Sequence, residues 1–502
     1  MPLPALTEEV SARAVEEAGE ARRDASLSQR GVAYIAARYG ASAFVNAGNV
    51  FVLTWWIGPR AYGAFVTAVG ITTFLSSVAR AGLDTCLVRA EQPPTSKDYD
   101  TAFTLILAIS LLLCALGILA LPLLTYWLPD HTFVLPYIVL LLTIPLIGLA
   151  GPPMAQLERA LQFQDVAKIE FGGQLAAFVV SGGLAWRGLG MWAPVAGHVT
   201  WQLCVLIAAK WMSSWSPRLS TDRVRARNMI RQGLGFSTSV RVWQLRKLVN
   251  PLVVGRILGT EAVAFVGLAA RAIEVLSVVR VAVERVAIAA LSRLRENPRQ
   301  CQQMMQKGAR LDVLVLGPAV LMLTTLGPVL LPGLFGERWS GALRVLPFVT
   351  AAALVNSVFA LEASALFVEG RQWVVTRAYL WHVLILALGT LLLASFAGIA
   401  GYGWAELAAC LPYLILHRGL PPGLRIVLPP ILPWLGAFTS ALLSSLLISP
   451  LRWALWLPLT LLAGREFSLL LSRTASASPT PLVWTAWKQV LAAPRRSGAS
   501  GD

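Results

Sequence analysis

The sequence predicts an all-α polytopic membrane protein, and three observations carry that expectation. Of 502 residues, 56% are hydrophobic and 14% charged, where a soluble domain carries about 25% charged residues. The apolar residues gather into runs of roughly 20, the length a helix needs to cross a bilayer, separated by short breaks rich in Gly, Pro and charge. Lys and Arg then fall unevenly on alternate breaks. The net charge of +16, from 42 Lys and Arg against 26 Asp and Glu, reads in such a chain as topology and lipid contact rather than nucleic-acid binding.

Residues 1–30 are polar, mix Glu8, Glu9, Glu16, Glu17 and Glu20 with Arg13, Arg22, Arg23 and Arg30, and hold no apolar core of signal-peptide length. They predict a cytoplasmic tail before an uncleaved first anchor. Six apolar helices are then expected within 31–211, at 34–57, 62–82, 101–124, 132–152, 169–186 and 190–211. A basic loop, 212–232, separates them from six more within 233–418, at 234–256, 261–285, 311–332, 342–368, 374–396 and 399–417. Two further helices, at 427–448 and 452–471, precede a tail of 472–502, in which Pro481 to Arg496 reads as a weak amphipathic helix on the inner surface. With the N-terminus inside, inner loops hold twenty Lys and Arg and outer loops six, which puts both termini in the cytoplasm and requires an even number of spans. The long inner loops 212–232 and 290–310 mark a junction between halves. Trp55, Trp56, Trp127, Trp211, Trp215, Trp339, Trp453 and Trp456 fall at helix ends, where an aromatic belt places them.

The halves share a weak repeat. Ile57-Gly58-Pro59-Arg60-Ala61 pairs with Leu258-Gly259-Thr260-Glu261-Ala262, each followed by Ala-Phe-Val, and Gly188-Leu189-Gly190-Met191-Trp192-Ala193 pairs with Gly401-Tyr402-Gly403-Trp404-Ala405. Both matches imply an offset of about 200 residues, or six helices. Cys86, Cys114, Cys204, Cys301 and Cys410 have no paired spacing, and His131, His198, His382 and His417 are scattered, so no disulfide framework or metal set is expected. No nucleotide-binding loop and no Ser-His-Asp spacing is present, so the chain does not read as an enzyme.

Several motifs, in order, resemble the polysaccharide-export branch of the MOP superfamily, the Wzx-type flippases of lipid-linked oligosaccharides. Ile57-Gly58-Pro59-Arg60-Ala61-Tyr62-Gly63, followed by Arg80-Ala81-Gly82-Leu83 and Arg89, is similar to the family's first hairpin. Arg159-Ala160-Leu161-Gln162-Phe163-Gln164 and Gly188 to Ala193 resemble its elements around helix five, Gly255 to Gly259 its turn after helix seven, and Phe335-Gly336-Glu337-Arg338-Trp339 its turn before helix ten. The resemblance covers roughly residues 30 to 425. One departure is Asn250, followed by Pro251, where many relatives carry an acidic residue. The resemblance implies two six-helix lobes around a central cavity plus two C-terminal helices, a MOP/MATE-like flippase fold opening alternately to either side. It makes 31–211 the N-lobe, 212–232 the inter-lobe loop and 233–418 the C-lobe. The implied substrate is an oligosaccharide on undecaprenyl pyrophosphate, flipped across the bacterial inner membrane for exopolysaccharide, capsule or O-antigen. The implied partners are membrane lipids and the polysaccharide polymerase and export machinery.

A pyrophosphate crossing a membrane must exchange water for fixed cations, and ionisable residues within spans usually face a cavity. Arg38, Arg241, Arg246, Lys247 and Arg271, in helices one, seven and eight, are the candidate pyrophosphate ligands, and a positively charged cavity is expected. Arg38 and Arg241, like Arg280 and Arg285, lie close enough to the cytoplasmic end to snorkel to lipid phosphates instead. Asn46, Asn49 and Asn250 are candidate polar cavity residues. Glu274, three residues after Arg271, and Glu362 and Glu406 are candidates for proton or sodium coupling; no cofactor or metal is otherwise expected. Asp312 reads as an interfacial residue at the start of helix nine. The alternative of the same fold is a cation-coupled multidrug exporter, for which cavity carboxylates rather than clustered cations are expected. A membrane polymerase or ligase needs a large outer loop that the sequence lacks.

Overall fold

Caps, more than the edges of apolar runs, decide where the helices of this chain begin. The computed structural model describes residues 42–476 except 43, 91, 161, 221, 278–290, 292–296 and 445–448. Within them no strand occurs, and fourteen longer helical segments follow one another, with a short helix, Leu83–Arg89, between the second and third. The first six are α1 (44–56), α2 (Pro59–Arg80), α3 (Ser96–Leu119, extended by Leu121–Trp127), α4 (His131–Arg159), α5 (Phe163–Trp186) and α6 (Trp192–Met212). The next six are α7 (Arg223–Val249, continued by Asn250–Val254 and Gly255–Leu258), α8 (Thr260–Leu276), α9 (Pro298–Phe335), α10 (Gly341–Val368), α11 (Gln372–Ala397) and α12 (Ile399–Gly419). The last two are α13 (Leu432–Ser444) and α14 (Ser449–Ser476). Eight of the helices among the described residues are long and apolar enough to cross a membrane.

Three caps lengthen helices beyond their apolar runs. Thr95 and Asp98 form a reciprocal capping box that starts α3 five residues before the apolar run at 101. The Asp222 carboxylate accepts the N–H groups of Val224 and Arg225, so residues 223–232, expected as loop, are the first turns of α7. Asn297 caps α9, with Pro298 at its first position, and most of the loop expected at 290–310 is therefore helix. At 38 residues α9 is about 57 Å long, well over the roughly 30 Å hydrocarbon core, and its first turns project beyond it. Gln302 donates to the Arg425 carbonyl at 2.7 Å, and Gln306 both donates to and accepts from the Val427 backbone, which fixes the link to α13. Asp312 lies inside this helix and is buried, not interfacial.

α2 is the seam of the molecule: it packs on α3 and α4 on one side and on α7 and α8 on the other. α5 packs along α6, while α10 is enclosed by α8, α9, α12 and α13, and α11 lies between α7 and α12. At the seam Gly63 faces the Thr260 backbone so closely that a Cβ would sit 2.0 Å from its carbonyl oxygen. Small residues let membrane helices approach in this way. The two copies of the first repeat, Gly58 before α2 and Gly259 before α8, therefore meet at one end, here the Gly259 end. The second repeat pairs residues with different work: Gly188 and Gly190 take left-handed φ values before α6, whereas Gly401 and Gly403 lie inside α12 against Leu393 and Phe348.

The Gly259 end is knitted across the seam. Asp130 accepts from Arg60 at 3.1 Å and Thr260 at 3.0 Å, Trp127 donates to Leu252 O, and Arg256 donates to Trp127 O. Trp339 donates its indole N–H to Thr54 O at 3.0 Å and is fully buried beside Tyr62 and Phe265, so it is a core residue, not part of an interfacial belt. At the opposite, Asp222 end, Arg225 pairs with Asp98 and Arg159 donates to the carbonyls of Leu87, Val88 and Ala90.

Candidate functional site: a central cavity between the helix bundles

A proline makes the local geometry of the site. Pro251 has no N–H to give the carbonyl four residues back and its ring crowds that turn, so α7 widens to a π-turn over Asn250–Val254. Gly70 of α2 leaves room for the bulge, with a Cβ there 3.2 Å from the Pro251 ring and 3.6 Å from the Lys247 carbonyl. Asn250 donates to Val263 O at 3.2 Å and ties the widened turn to α8.

Beside this turn lies a cavity of about 770 Å³. It stops at buried Tyr62 near the Gly259 end and reaches the Asp222 end past Arg80, Asp84, Thr85, Val88 and Glu158. Among the expected residues it brings together Arg246, Lys247, Asn250, Arg271 and Glu274. Arg271 and Glu274 form an ion pair at 2.8 Å, each side chain more than half exposed to the cavity. Lys247, within electrostatic reach of both, makes no hydrogen bond or ion pair with any described residue.

The other expected residues are placed elsewhere. Arg246 touches the cavity, but its guanidinium pairs with the buried Glu406 of α12 and lies 5.4 Å over the Trp243 ring. Glu406 itself is 2% exposed and also accepts from Tyr402 at 3.1 Å, so it stands behind the cavity wall. Glu362 is fully buried and bound by His417 at 2.8 Å and the Ile426 N–H at 3.1 Å, a clamp on the α12–α13 link rather than a cavity carboxylate. Asn49 accepts from Ser181 at 2.7 Å and so joins α1 to α5. Asn46 is exposed outside the cavity lining, and Arg241 is half-buried and does not reach it. Arg38 lies outside the described residues, as do Arg280, Arg285 and Pro481 to Arg496.

Nor is the cavity uniformly positive. α2, α4, α5 and the short helix Leu83–Arg89 add Arg80, Asp84, Glu158 and Glu170, and α6 adds His198, Trp201 and Gln202. Sequence reasoning missed these because the search for charge within spans covered helices one, seven and eight and the C-terminal half, and left out helices two to six. The lone His198 and Glu170 inside apolar runs were the available signals.

The cavity has charged walls and lies among apolar helices long enough to cross a membrane, an arrangement that membrane transporters share. The chain belongs to the polysaccharide biosynthesis protein family, which matches residues 52–344. It is similar to the amylovoran biosynthesis protein AmsL of Erwinia amylovora, at 24% identity over 183 residues, which is 36% of this chain and 46% of that protein. The aligned part thus spans about half the length of that relative. Its fold is that of the lipid II flippase MurJ in an inward closed conformation (TM-score 0.68, 12% identity, 85% of this chain and 97% of that one). An inward-facing multidrug resistance MATE family transporter of the MOP superfamily is also similar (TM-score 0.57, 13% identity, 80% and 96%). The chain is thus a polysaccharide biosynthesis protein by family, with the fold that MurJ and the MATE transporters share.

Proposed function

We propose that the chain carries an undecaprenyl-pyrophosphate-linked oligosaccharide across the bacterial inner membrane, with the Asp222 end and both termini in the cytoplasm. The observation that carries this reading is the mid-depth pair Lys247 and Arg271 on facing helices of a cavity large enough for a polar headgroup. A diphosphate offers oxygens to both, and Glu274 is the group it displaces from Arg271. The prenyl tail stays in lipid while the headgroup crosses. Of the three acids expected to couple proton or sodium entry, Glu274 alone lines the cavity and would serve that role. The polymerase and export machinery would take the flipped product. The basic loops at the Asp222 end support the orientation.

Deletion of the gene is expected to abolish the surface polymer and to accumulate glycosylated carrier on the cytoplasmic face. Complementation with Lys247→Ala is expected to restore less than about a tenth of the polymer, as loss of one charged phosphate contact implies, and Lys247→Arg most of it. An unchanged polymer with altered sensitivity to cationic drugs would favour the exporter reading instead.

A further inference from the structure

We propose that the face of α6 bearing His198, Trp201 and Gln202 is a saccharide subsite, which takes hydroxyl and amide groups of the sugars next to the pyrophosphate; it rests on the carrier reading above. The three residues stand at i, i+3 and i+4, so one helix face presents them all, and all three line the cavity. Neither His198 nor Gln202 bonds to a described residue, so the hydrogen-bonding groups of both are open to a ligand in the cavity. The Trp201 N–H edge lies against Gly173 of α5, so what Trp201 gives the cavity is ring surface, with the His198 ring packed edge-on to it. An amide, an imidazole and an indole together offer donors, acceptors and an aromatic face, which is the chemistry that a polyhydroxylated ring requires.

The depth matches. Trp201 lies about 14 Å along α6 from Trp192, and Arg271 about 17 Å along α8 from Thr260, both counted from the Gly259 end at 1.5 Å per residue. Ala193 of α6 and Ala264 of α8 share one buried cluster at that end, which sets the two helices in register. Arg271 is within electrostatic reach of His198. A sugar joined directly to a pyrophosphate held by Lys247 and Arg271 therefore meets the α6 face. Gly173 of α5 reserves the space for the indole: a Cβ there would fall 2.7 Å from Trp201 Cδ1.

The test uses purified full-length chain and native mass spectrometry with two probes. One is undecaprenyl pyrophosphate, and the other is the glycosylated carrier extracted from the deletion strain. His198→Leu and Gln202→Leu, which keep most of the side-chain volume, are each expected to weaken binding of the glycosylated carrier about tenfold, the usual weight of a lost buried hydrogen bond, and to leave the bare carrier unchanged. Lys247→Ala is expected to weaken both. Equal losses for both probes in the α6 variants, or no loss in either, would overturn the subsite while leaving the carrier reading intact. Failure of the unaltered chain to bind either probe overturns the carrier reading and the subsite with it.

Discussion

Arg246 and Lys247 are adjacent in the chain yet have different surroundings. Lys247 points into the cavity without a described ion-pair partner, whereas Arg246 is held by Glu406, 160 residues away. A buried ion pair is weak evidence of net stability, but removal of one member strands the other. Arg246→Ala is therefore expected to cost about 3 kcal/mol through the uncompensated Glu406 carboxylate. The double variant Arg246→Leu with Glu406→Leu should recover most of that loss, as read by thermal unfolding in detergent. A pyrophosphate ligand with no structural duty would show the opposite pattern, lost transport with an unchanged unfolding temperature. That is the pattern expected for Lys247→Ala. Glu362 and Glu406 show why buried acids are poor guides to a cavity: Glu406 is held by Arg246 and Tyr402, and Glu362 by His417 and the Ile426 N–H through one carboxylate oxygen.

The α2–α8 contact closes the Gly259 end, and two of its residues can be tested separately. Gly63→Ala places a Cβ against the Thr260 backbone, which cannot move aside as a side chain can, so the two helices must separate. The cost is expected to be about 1–3 kcal/mol, the range for overpacking a tight contact, and it falls on the closed form alone. A cysteine at Thr73 in the cavity, labelled from the Asp222 end in the parent, should then also label from the Gly259 end. Asp130 acts at the same seam. Burial raises its carboxyl, but hydrogen bonds from the Thr132 N–H, Arg60 and Thr260 outweigh this and hold it below the ordinary carboxylate value of 3.8. A depressed folded value means the contribution is complete above pH 3.8 and fades as pH falls through the folded value. Since Arg60 is largely exposed, the latch is worth about 1 kcal/mol. Asp130→Asn should lower stability by that amount at pH 7 and by progressively less as the pH falls below 3.8, measured as the difference in unfolding midpoint across the pH range.

The described helices form one bundle, and the lining of its cavity runs from Tyr62, near the hydrogen-bonded Gly259 end, to Arg80, Asp84 and Glu158, toward the Asp222 end. Alternating access requires those contacts to break and the Asp222 end to close. Besides single hydrogen bonds and small-residue contacts, the seam holds the buried apolar cluster around Tyr62, Ala264 and Trp339, so opening that end must expose apolar surface as well as break those bonds. The long α9 and the Gln302 and Gln306 bonds to the 425–427 backbone fasten α13 and α14 to the C-terminal helices, so these two helices are expected to move with them.

Hydropathy, break residues and loop charge were enough to read the all-α membrane class and the positions of the helices, because bilayer thickness imposes span length on any such sequence. Local caps corrected the rest: Thr95, Asp222 and Asn297 are visible in the sequence, and each starts a helix ahead of its apolar run. Lys247, Arg271 and Asn250 were legible as cavity-lining residues since a cation or amide in mid-span has few places to go but a cavity. The Arg246–Glu406 pair, the burial of Trp339 and the α6 face opposite Lys247 were not. Each depends on which helix lies beside which, and helix packing joins residues up to 285 positions apart that no local spacing records.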